Sequence, residues 1–161
     1  MSFDRGDCPK SFLEMEFDQF LRPSYHESEP EFVAALFEEY QITPQSHPRA
    51  VELFAGDAPH AAIMTRLGWR ARDIVCIDYR RSRDPLVRGV QWRYYDLHHL
   101  SLALMVDGEI PGSILSLRQQ GDVVIAINQW WRSKETLDQL VNFFCRRGGL
   151  AYTHRDVRIR S

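Results

Sequence analysis

The stretch RAVELFAGDAP, residues 49–59, decides the fold class, because an apolar strand pattern runs directly into a glycine turn. Residues 50–55 have the composition of a short buried strand. Residues 56–59 form a predicted turn in which Asp57 is a suitable helix N-cap and Pro59 suits the first turn of a helix over residues 60–67. The stretch therefore predicts a strand, a glycine turn and a helix in immediate succession.

The same alternation continues downstream of this stretch. Further strands are predicted over residues 73–78, 90–95 and 122–127 and from residue 150 to 153. Further helices are predicted over residues 98–106 and 133–147, the second capped by Ser133 and ended by Gly148 and Gly149. We therefore predict an α/β fold, a Rossmann-like and mostly parallel sheet of about five strands with helices on both faces.

The region upstream of residue 49 has a different pattern. Apolar residues at helical spacing predict two amphipathic helices, over residues 11–21 and 29–41. We expect a single domain over residues 1–161, in which residues 1–48 form a helical cover and residues 49–161 the Rossmann-like core.

Composition excludes several classes of protein. A chain of 161 residues with 44% hydrophobic residues suits one globular domain. Its apolar runs are shorter than the roughly 20 residues that span a bilayer, and its polar start lacks a secretory signal. We therefore expect an intracellular, cytoplasmic protein. Three widely spaced cysteines favour neither a disulfide framework nor a zinc site, and no metal is expected.

Charge is unevenly distributed along the chain. The first forty residues are acidic, whereas residues 66–93 hold eight arginines against three aspartates. Such asymmetry occurs in nucleic-acid-binding proteins. Because the pI is only about 6.3, packing of the acidic part against the basic part is the favoured interpretation, and nucleic-acid binding is the alternative.

Carboxylates follow the predicted strands at their carboxyl ends, where ligands bind in open parallel sheets. Gly56 would let backbone approach a ligand closely. Asp78, about twenty residues later, is spaced to accept hydrogen bonds from ribose hydroxyls, and Asp96 could accept from an exocyclic amine. Each acid could instead simply cap the following helix, although three acids on consecutive strands favour a shared ligand.

These residues resemble the motifs of class I S-adenosylmethionine-dependent methyltransferases, over roughly residues 50–153. The segment VELFAG, residues 51–56, resembles the family's first motif, Ile77-Asp78-Tyr79 its ribose-binding acid and Tyr95-Asp96-Leu97 its adenine-binding acid. The resemblance implies S-adenosylmethionine as cofactor, and it implies these site residues: Glu52, Phe54, Ala55, Gly56 and Asp57 for the methionine part, Asp78 and Tyr79 for the ribose, Asp96 and Leu97 for the adenine, and Asn128 beside the methyl group.

The chain also departs from that family. Its first loop has fewer glycines, and it lacks the family's last two strands, which would leave strand five as an edge for a homodimer partner or another chain to cover. The resemblance implies methyl transfer to a small-molecule or nucleic-acid acceptor. The alternative is a catalytically inactive, methyltransferase-like binding or assembly module.

Other residues near the predicted site have two interpretations each. Trp130 and Trp131 could stack on a planar substrate or pack against the N-terminal helices. His60 and His98 are candidates to take a proton from the methyl acceptor. His98 and His99, with His60 and Asp96, could instead suggest a metal site, but adjacent residues on a helix point in different directions, so a surface or helix-capping role is favoured. Residues 56–61 also form a degraded dinucleotide fingerprint, a less favoured interpretation because Ala58 replaces one of its glycines.

Overall fold

The computed structural model describes residues 29–127 and 132–161, which fold around a six-stranded sheet. The strands are β1 (Ala50–Leu53), β2 (Ile74–Asp78), β3 (Gln91–Tyr94), β4 (Gly121–Ala126), β5 (Cys145–Thr153) and β6 (Val157–Ile159). Their order in the sheet is β3-β2-β1-β4-β5-β6, and every neighbouring pair except β5 and β6 is parallel. The predicted α/β fold with a mostly parallel sheet is therefore confirmed.

Helices cover both faces of this sheet. They are α1 (Glu29–Glu39), α2 (Pro59–Arg66), α3 (Leu97–Val106), α4 (Gly112–Leu115) and α5 (Lys134–Phe144), with a 3₁₀ turn at Ala71–Asp73. One apolar core lies under α1 and α2, and a second lies under α3, α4 and α5. The predicted helix over residues 11–21 lies outside the described residues. Along the described ranges, no helix combines the length and apolar character needed to cross a bilayer.

Side-chain alternation along β1 places a carboxylate in the interior. Successive strand residues point to opposite faces, so Val51 and Leu53 join the core under α3 and α5, and Ala50 joins the core under α1 and α2. Glu52 follows Ala50 by two residues and therefore points to the same face of the sheet as Ala50. Its side chain therefore lies on the face that α2 covers, where it is buried.

The end of the last helix differs from the sequence prediction. Helix α5 ends at Phe144 and β5 begins at the next residue, so Gly148 and Gly149 lie within a strand and do not end a helix. The pairing of β4 with β5 shifts register in this stretch. A Cβ on Gly149 would lie 2.9 Å from the backbone oxygen of Asp122. Gly149 therefore allows two strands to approach closely where the ladder is irregular, and Gly148 adopts a left-handed backbone with φ of 83°.

Strand β6 was absent from the sequence prediction, which made strand five a sheet edge. In the structure β6 pairs antiparallel with β5 after a tight turn, in which Thr153 N donates to Asp156 O at 2.9 Å. The prediction of an exposed fifth strand was therefore wrong, and the structural reason for a covering partner is gone. A homodimer or partner chain stays a prediction without that support.

Candidate functional site

The strand order reverses next to β1, which pairs with β2 on one side and with β4 on the other. Chains with such an order bind ligands in the crevice beyond the carboxyl ends of the strands at this reversal. Because β1 to β4 are all parallel, the segments that follow them lie along one edge of the sheet. We call this edge, formed by residues 54–57, 78–79 and 95–97 and by Arg132, the carboxyl rim.

The loop after β1 is tightly wound. Phe54, Gly56 and Ala58 have left-handed backbone, with φ of 55°, 56° and 59°. This conformation costs roughly 1–2 kcal/mol for a residue with a side chain, and such strain is most often found at functional sites. Three amides of the loop also donate within the protein: Ala55 N to Ile77 O at 3.1 Å, Gly56 N to Asp78 Oδ2 at 2.8 Å and Ala58 N to Ala55 O at 2.8 Å.

Asp57 does not cap helix α2. The N-cap position belongs to Ala58, which has no side-chain hydrogen bond to the helix, so the predicted cap was wrong. Asp57 is instead tied to the loop between β2 and β3: its Oδ1 accepts from Ser82 Oγ at 2.7 Å, and its backbone oxygen accepts from Leu86 N at 2.8 Å. The tight turn keeps the Asp57 carboxylate at the rim and away from the helix axis.

Glu52 takes over the capping role from inside the protein. Its carboxylate accepts from Ala61 N at 2.8 Å and from His60 N at 3.5 Å, the first free amides of α2. It also lies 3.6 Å from His60 Nδ1. Glu52, which was predicted to bind the methionine part, thus faces α2, and its carboxylate is occupied by these hydrogen-bond partners.

His60 links two buried carboxylates. Its Nε2 lies 3.1 Å from Glu29 Oε1, which also accepts from Tyr152 Oη at 2.5 Å. Burial lowers the pKa of His60, but hydrogen bonds and charge from Glu29 and Glu52 outweigh burial and raise this pKa to about 9. His60 is therefore a buried imidazolium with 1% of its surface exposed, and it is unsuited to accept a proton from a substrate.

Asp78 ends β2 directly beside the β1 loop. Its Oδ2 accepts from Gly56 N at 2.8 Å, and its Oδ1 accepts from Arg80 N at 3.2 Å. Each carboxylate oxygen can accept a second hydrogen bond, and the side chain is only part-buried. Asp78 can therefore hold the loop and still accept from a ligand hydroxyl. Tyr79 is 57% exposed, and the Arg80 guanidinium lies 4.9 Å from its ring centre.

Asp96 is the N-cap of α3, as the capping interpretation predicts. It accepts from His98 N at 2.9 Å and pairs with His98 Nδ1 at 2.7 Å. Burial is the largest single influence on Asp96 and raises its pKa, but the hydrogen bonds from His98 and the charges of His98 and His99 together outweigh burial and lower this pKa. The following residue, Leu97, is 2% exposed and packs into the core beneath the rim.

Arg132 is a rim residue that sequence analysis did not select. Its guanidinium lies 5.8 Å from the centre of the Phe54 ring. Burial lowers the pKa of Arg132, while the charge of Asp96 opposes that shift, so the two side chains share one electrostatic environment. Arg132 thus brings a cation between the ends of β1 and β3.

Three predicted residues, Asn128, Trp130 and Trp131, fall in the gap between the described ranges, so their roles stay predictions. Among the described residues, no group of three or more His, Cys, Asp or Glu side chains is arranged to hold a metal ion. The carboxyl rim is therefore built from Asp57, Asp78, Tyr79, Asp96 and Arg132 around the strained loop.

Comparisons with known proteins identify the fold. No protein-family model matches the chain, and no curated protein matches it. A Methanococcus maripaludis protein provisionally assigned as an S-adenosyl-L-methionine-dependent methyltransferase matches with a TM-score of 0.55 and 14% identity, over 95% of this chain and 64% of that one. The chain therefore spans less than two thirds of that structure.

Two further structures give weaker matches. A SAM-dependent methyltransferase from Archaeoglobus fulgidus has 13% identity and a TM-score of 0.47, over 84% of this chain and 57% of that one. A Galdieria sulphuraria protein, provisionally a sarcosine dimethylglycine methyltransferase, has 13% identity and a TM-score of 0.49, over 92% and 51%. The fold of this chain is a divergent form of the class I methyltransferase fold, as the first match shows.

Proposed function

We propose that the chain binds S-adenosylmethionine at the carboxyl rim and transfers its methyl group to a small-molecule or nucleic-acid acceptor. The observation that carries the proposal is the position of Asp78: a part-buried carboxylate at the end of β2, bonded to the Gly56 turn of β1 and beside the reversal of strand order. A carboxylate at this place is suited to ribose hydroxyls.

The rim residues fit parts of this cofactor. Asp78 has acceptor capacity left for the ribose, and the exposed face of Tyr79 and the carboxylate of Asp96 suit an adenine ring and its amine. Arg132 is the cation of the carboxyl rim, and it suits the carboxylate of the methionine part. Glu52 contributes indirectly, because it fixes the start of α2 and thereby the loop above it.

The cofactor, when bound, supplies an electrophilic methyl group, so the protein mainly has to orient an acceptor and exclude water. Phe54 is 9% exposed and gives the loop an apolar side chain for that purpose. We propose that Asn128 orients the acceptor and that Trp130 and Trp131 flank it. His98, which is 56% exposed, is the remaining candidate for a proton acceptor, since His60 is buried and protonated.

A second candidate function is a methyltransferase-like module that binds a partner without catalysis. Two observations favour it: the amides of Ala55, Gly56 and Ala58 already donate within the protein, and the Glu52 carboxylate is occupied by α2 and His60. Both features reduce the number of groups left to hold the methionine part.

Calorimetric titration with S-adenosylmethionine and S-adenosylhomocysteine separates the two candidates. We expect Asp78→Asn to weaken binding roughly 10- to 100-fold, the loss of a hydrogen bond to a charged group, about 1.5–3 kcal/mol. Asparagine retains one acceptor oxygen for Gly56 N, so circular dichroism should show an intact fold. The matched control is Asp84→Asn, an exposed aspartate in the next loop, which should bind like the wild type.

The absence of binding by either compound at millimolar concentration would reject the enzyme proposal and favour the second candidate. Binding that Asp78→Asn and Asp84→Asn weaken equally would show that the cofactor lies elsewhere.

A further inference from the structure

The arginines of residues 66–93 remain electrostatically uncompensated within the described chain. None of the eight forms an ion pair with a carboxylate of residues 29–127 or 132–161, where ion pairs involve only His60, His98, His99, Arg146 and Arg158 as cations. The buried acid of α1, Glu29, is bonded to His60 and Tyr152. The favoured packing of acidic against basic segments is therefore not formed by the described acids.

Aromatic rings are interleaved with two of these arginines at the open edge of the sheet. Among the described residues, strand β3 pairs only with β2. The Trp92 and Tyr94 rings of β3 are stacked, with centroids 6.0 Å apart and an interplanar angle of 2°. The Arg81 guanidinium lies 5.0 Å from the Tyr94 ring centre. Beside it, Arg80 lies over Tyr79. We call these five residues the arginine–aromatic edge.

The tyrosine rings of this edge are unusually exposed to solvent. Tyr79 is 57% exposed and Tyr94 47% exposed, although aromatic rings normally contribute to cores. Within the described chain, the side chains of Arg80 and Arg81 have no hydrogen-bond partner, and the edge contains no carboxylate. Flat apolar rings and free guanidinium groups are thus presented together to solvent.

We propose that the arginine–aromatic edge binds single-stranded nucleic acid. Guanidinium groups pair with phosphates, while exposed rings and guanidinium planes stack on bases that are not already stacked in a duplex. Charge complementarity favours a polyanion, and the stacked rings favour one with planar bases over an acidic protein segment. The edge shares Tyr79 with the carboxyl rim, but Arg81, Trp92 and Tyr94 lie outside the rim, so the inference does not require cofactor binding.

Fluorescence anisotropy with the full-length protein tests the inference. The probes are labelled single-stranded RNA and DNA of about 20 nucleotides, long enough to cover one binding site, together with the matching duplex. We expect the single strands to bind more tightly than the duplex. We expect Arg80→Gln/Arg81→Gln to weaken binding about tenfold and to make the salt dependence shallower by about 1.4 in log K against log salt, because each phosphate contact contributes about 0.7.

Matched variants test whether the position of the two arginines, and not only the net charge of the protein, determines binding. Arg118→Gln/Arg147→Gln removes the same charge from exposed positions elsewhere, in the segment after α4 and in β5, and should leave affinity nearly unchanged. Tyr94→Ala should weaken binding about 5- to 100-fold, because a base loses its stacking partner, whereas Tyr94→Phe should retain binding. Asp96→Ser should leave nucleic-acid binding intact even where it weakens cofactor binding, because Asp96 is bonded to His98 and not to this edge.

Three results would overturn the inference. The first is a wild-type protein that binds neither RNA nor DNA at low salt. In that case a second variant of the whole chain shows what occupies the edge. If binding is gained when five N-terminal acids are changed to their amides, the acidic N-terminal segment is the occupant; these acids are Asp4, Asp7, Glu14, Glu16 and Asp18. The second is equal weakening by the two arginine pairs. The third is unchanged affinity in Tyr94→Ala, which would indicate a surface for any polyanion.

Discussion

Two acid–histidine pairs in this chain have the same chemistry in opposite surroundings. Glu52 accepts from the first amides of α2 and lies beside His60, and Asp96 accepts from the first turn of α3 and pairs with His98. The Glu52 and His60 side chains are 4% and 1% exposed, whereas those of Asp96 and His98 are 36% and 56% exposed. Burial is therefore the variable that separates them.

This difference determines what each pair can do. In the interior, a third charged group, Glu29, and the Tyr152 hydroxyl complete the set, and the groups are committed to each other. At the rim, water can replace either partner, so an exposed pair contributes only about 0–1 kcal/mol. The interior pair is thus a structural unit, and the rim pair has groups to offer a ligand.

The largest expected effect comes from removing His60 from its buried contacts with Glu29 and Glu52. His60→Leu leaves Glu29 and Glu52 buried without their cation, which should lower the free energy of unfolding by about 3–5 kcal/mol. The matched rim variant, His98→Leu, should lower it by less than about 1 kcal/mol. Urea denaturation followed by circular dichroism measures both.

A milder interior variant keeps this test informative if His60→Leu is poorly folded. Tyr152→Phe removes one hydroxyl donor to Glu29 and should cost about 1–3 kcal/mol. Equal stability losses in His60→Leu and His98→Leu would show that burial does not distinguish the two pairs.

The pH dependence of stability sharpens the comparison further. The pKa of His60 is about 9 in the folded protein against an ordinary value of 6.5, so the folded state holds a proton that the unfolded state releases between these values. The contribution of His60 is complete below about pH 6.5 and is lost as the pH rises toward 9, about 3 kcal/mol in all.

Urea midpoints at about pH 6, 7.5 and 9 measure this slope, and the difference between wild type and His60→Leu isolates the single group. The wild type should lose more stability on alkalinisation than the variant does. Parallel pH profiles for the two proteins would mean that the pKa of His60 is the same in the folded and unfolded states.

Sequence patterns located the carboxylates but could not assign their surroundings. The alternation of strands and helices along the chain and the acids at the strand ends followed from apolar runs and spacing, and β1, β2 and β4 lie close to their predicted positions. Whether Glu52 faces a ligand or a helix depends on where α2 crosses the sheet, and on His60 eight residues later. Those are tertiary contacts, which local periodicity does not encode.

Short or irregular elements were missed for a related reason. Strand β6 has only three residues, Val157–Ile159, so its apolar alternation is too brief to detect. Gly148 and Gly149 are typical of a helix end, yet here they lie within β5, where Gly149 allows a close approach to β4. Arg132 had no motif at all, because its role depends on the neighbouring ends of β1 and β3.

The smallest expected effect concerns Asp96 and tests whether this acid only caps α3 or also binds the cofactor. Asp96→Ala removes the cap of α3 and should lower the free energy of unfolding by about 1 kcal/mol, whereas Asp96→Ser provides another good cap and should restore most of it. Serine has no carboxylate, so it cannot restore a contact in which Asp96 accepts from an adenine amine with a charged oxygen. We therefore expect both variants to bind S-adenosylmethionine several-fold more weakly than wild type in calorimetry, although only the alanine variant is less stable. Wild-type affinity in Asp96→Ser would mean that this acid serves the helix alone, like Glu52, and that ligand recognition at the rim rests on Asp78.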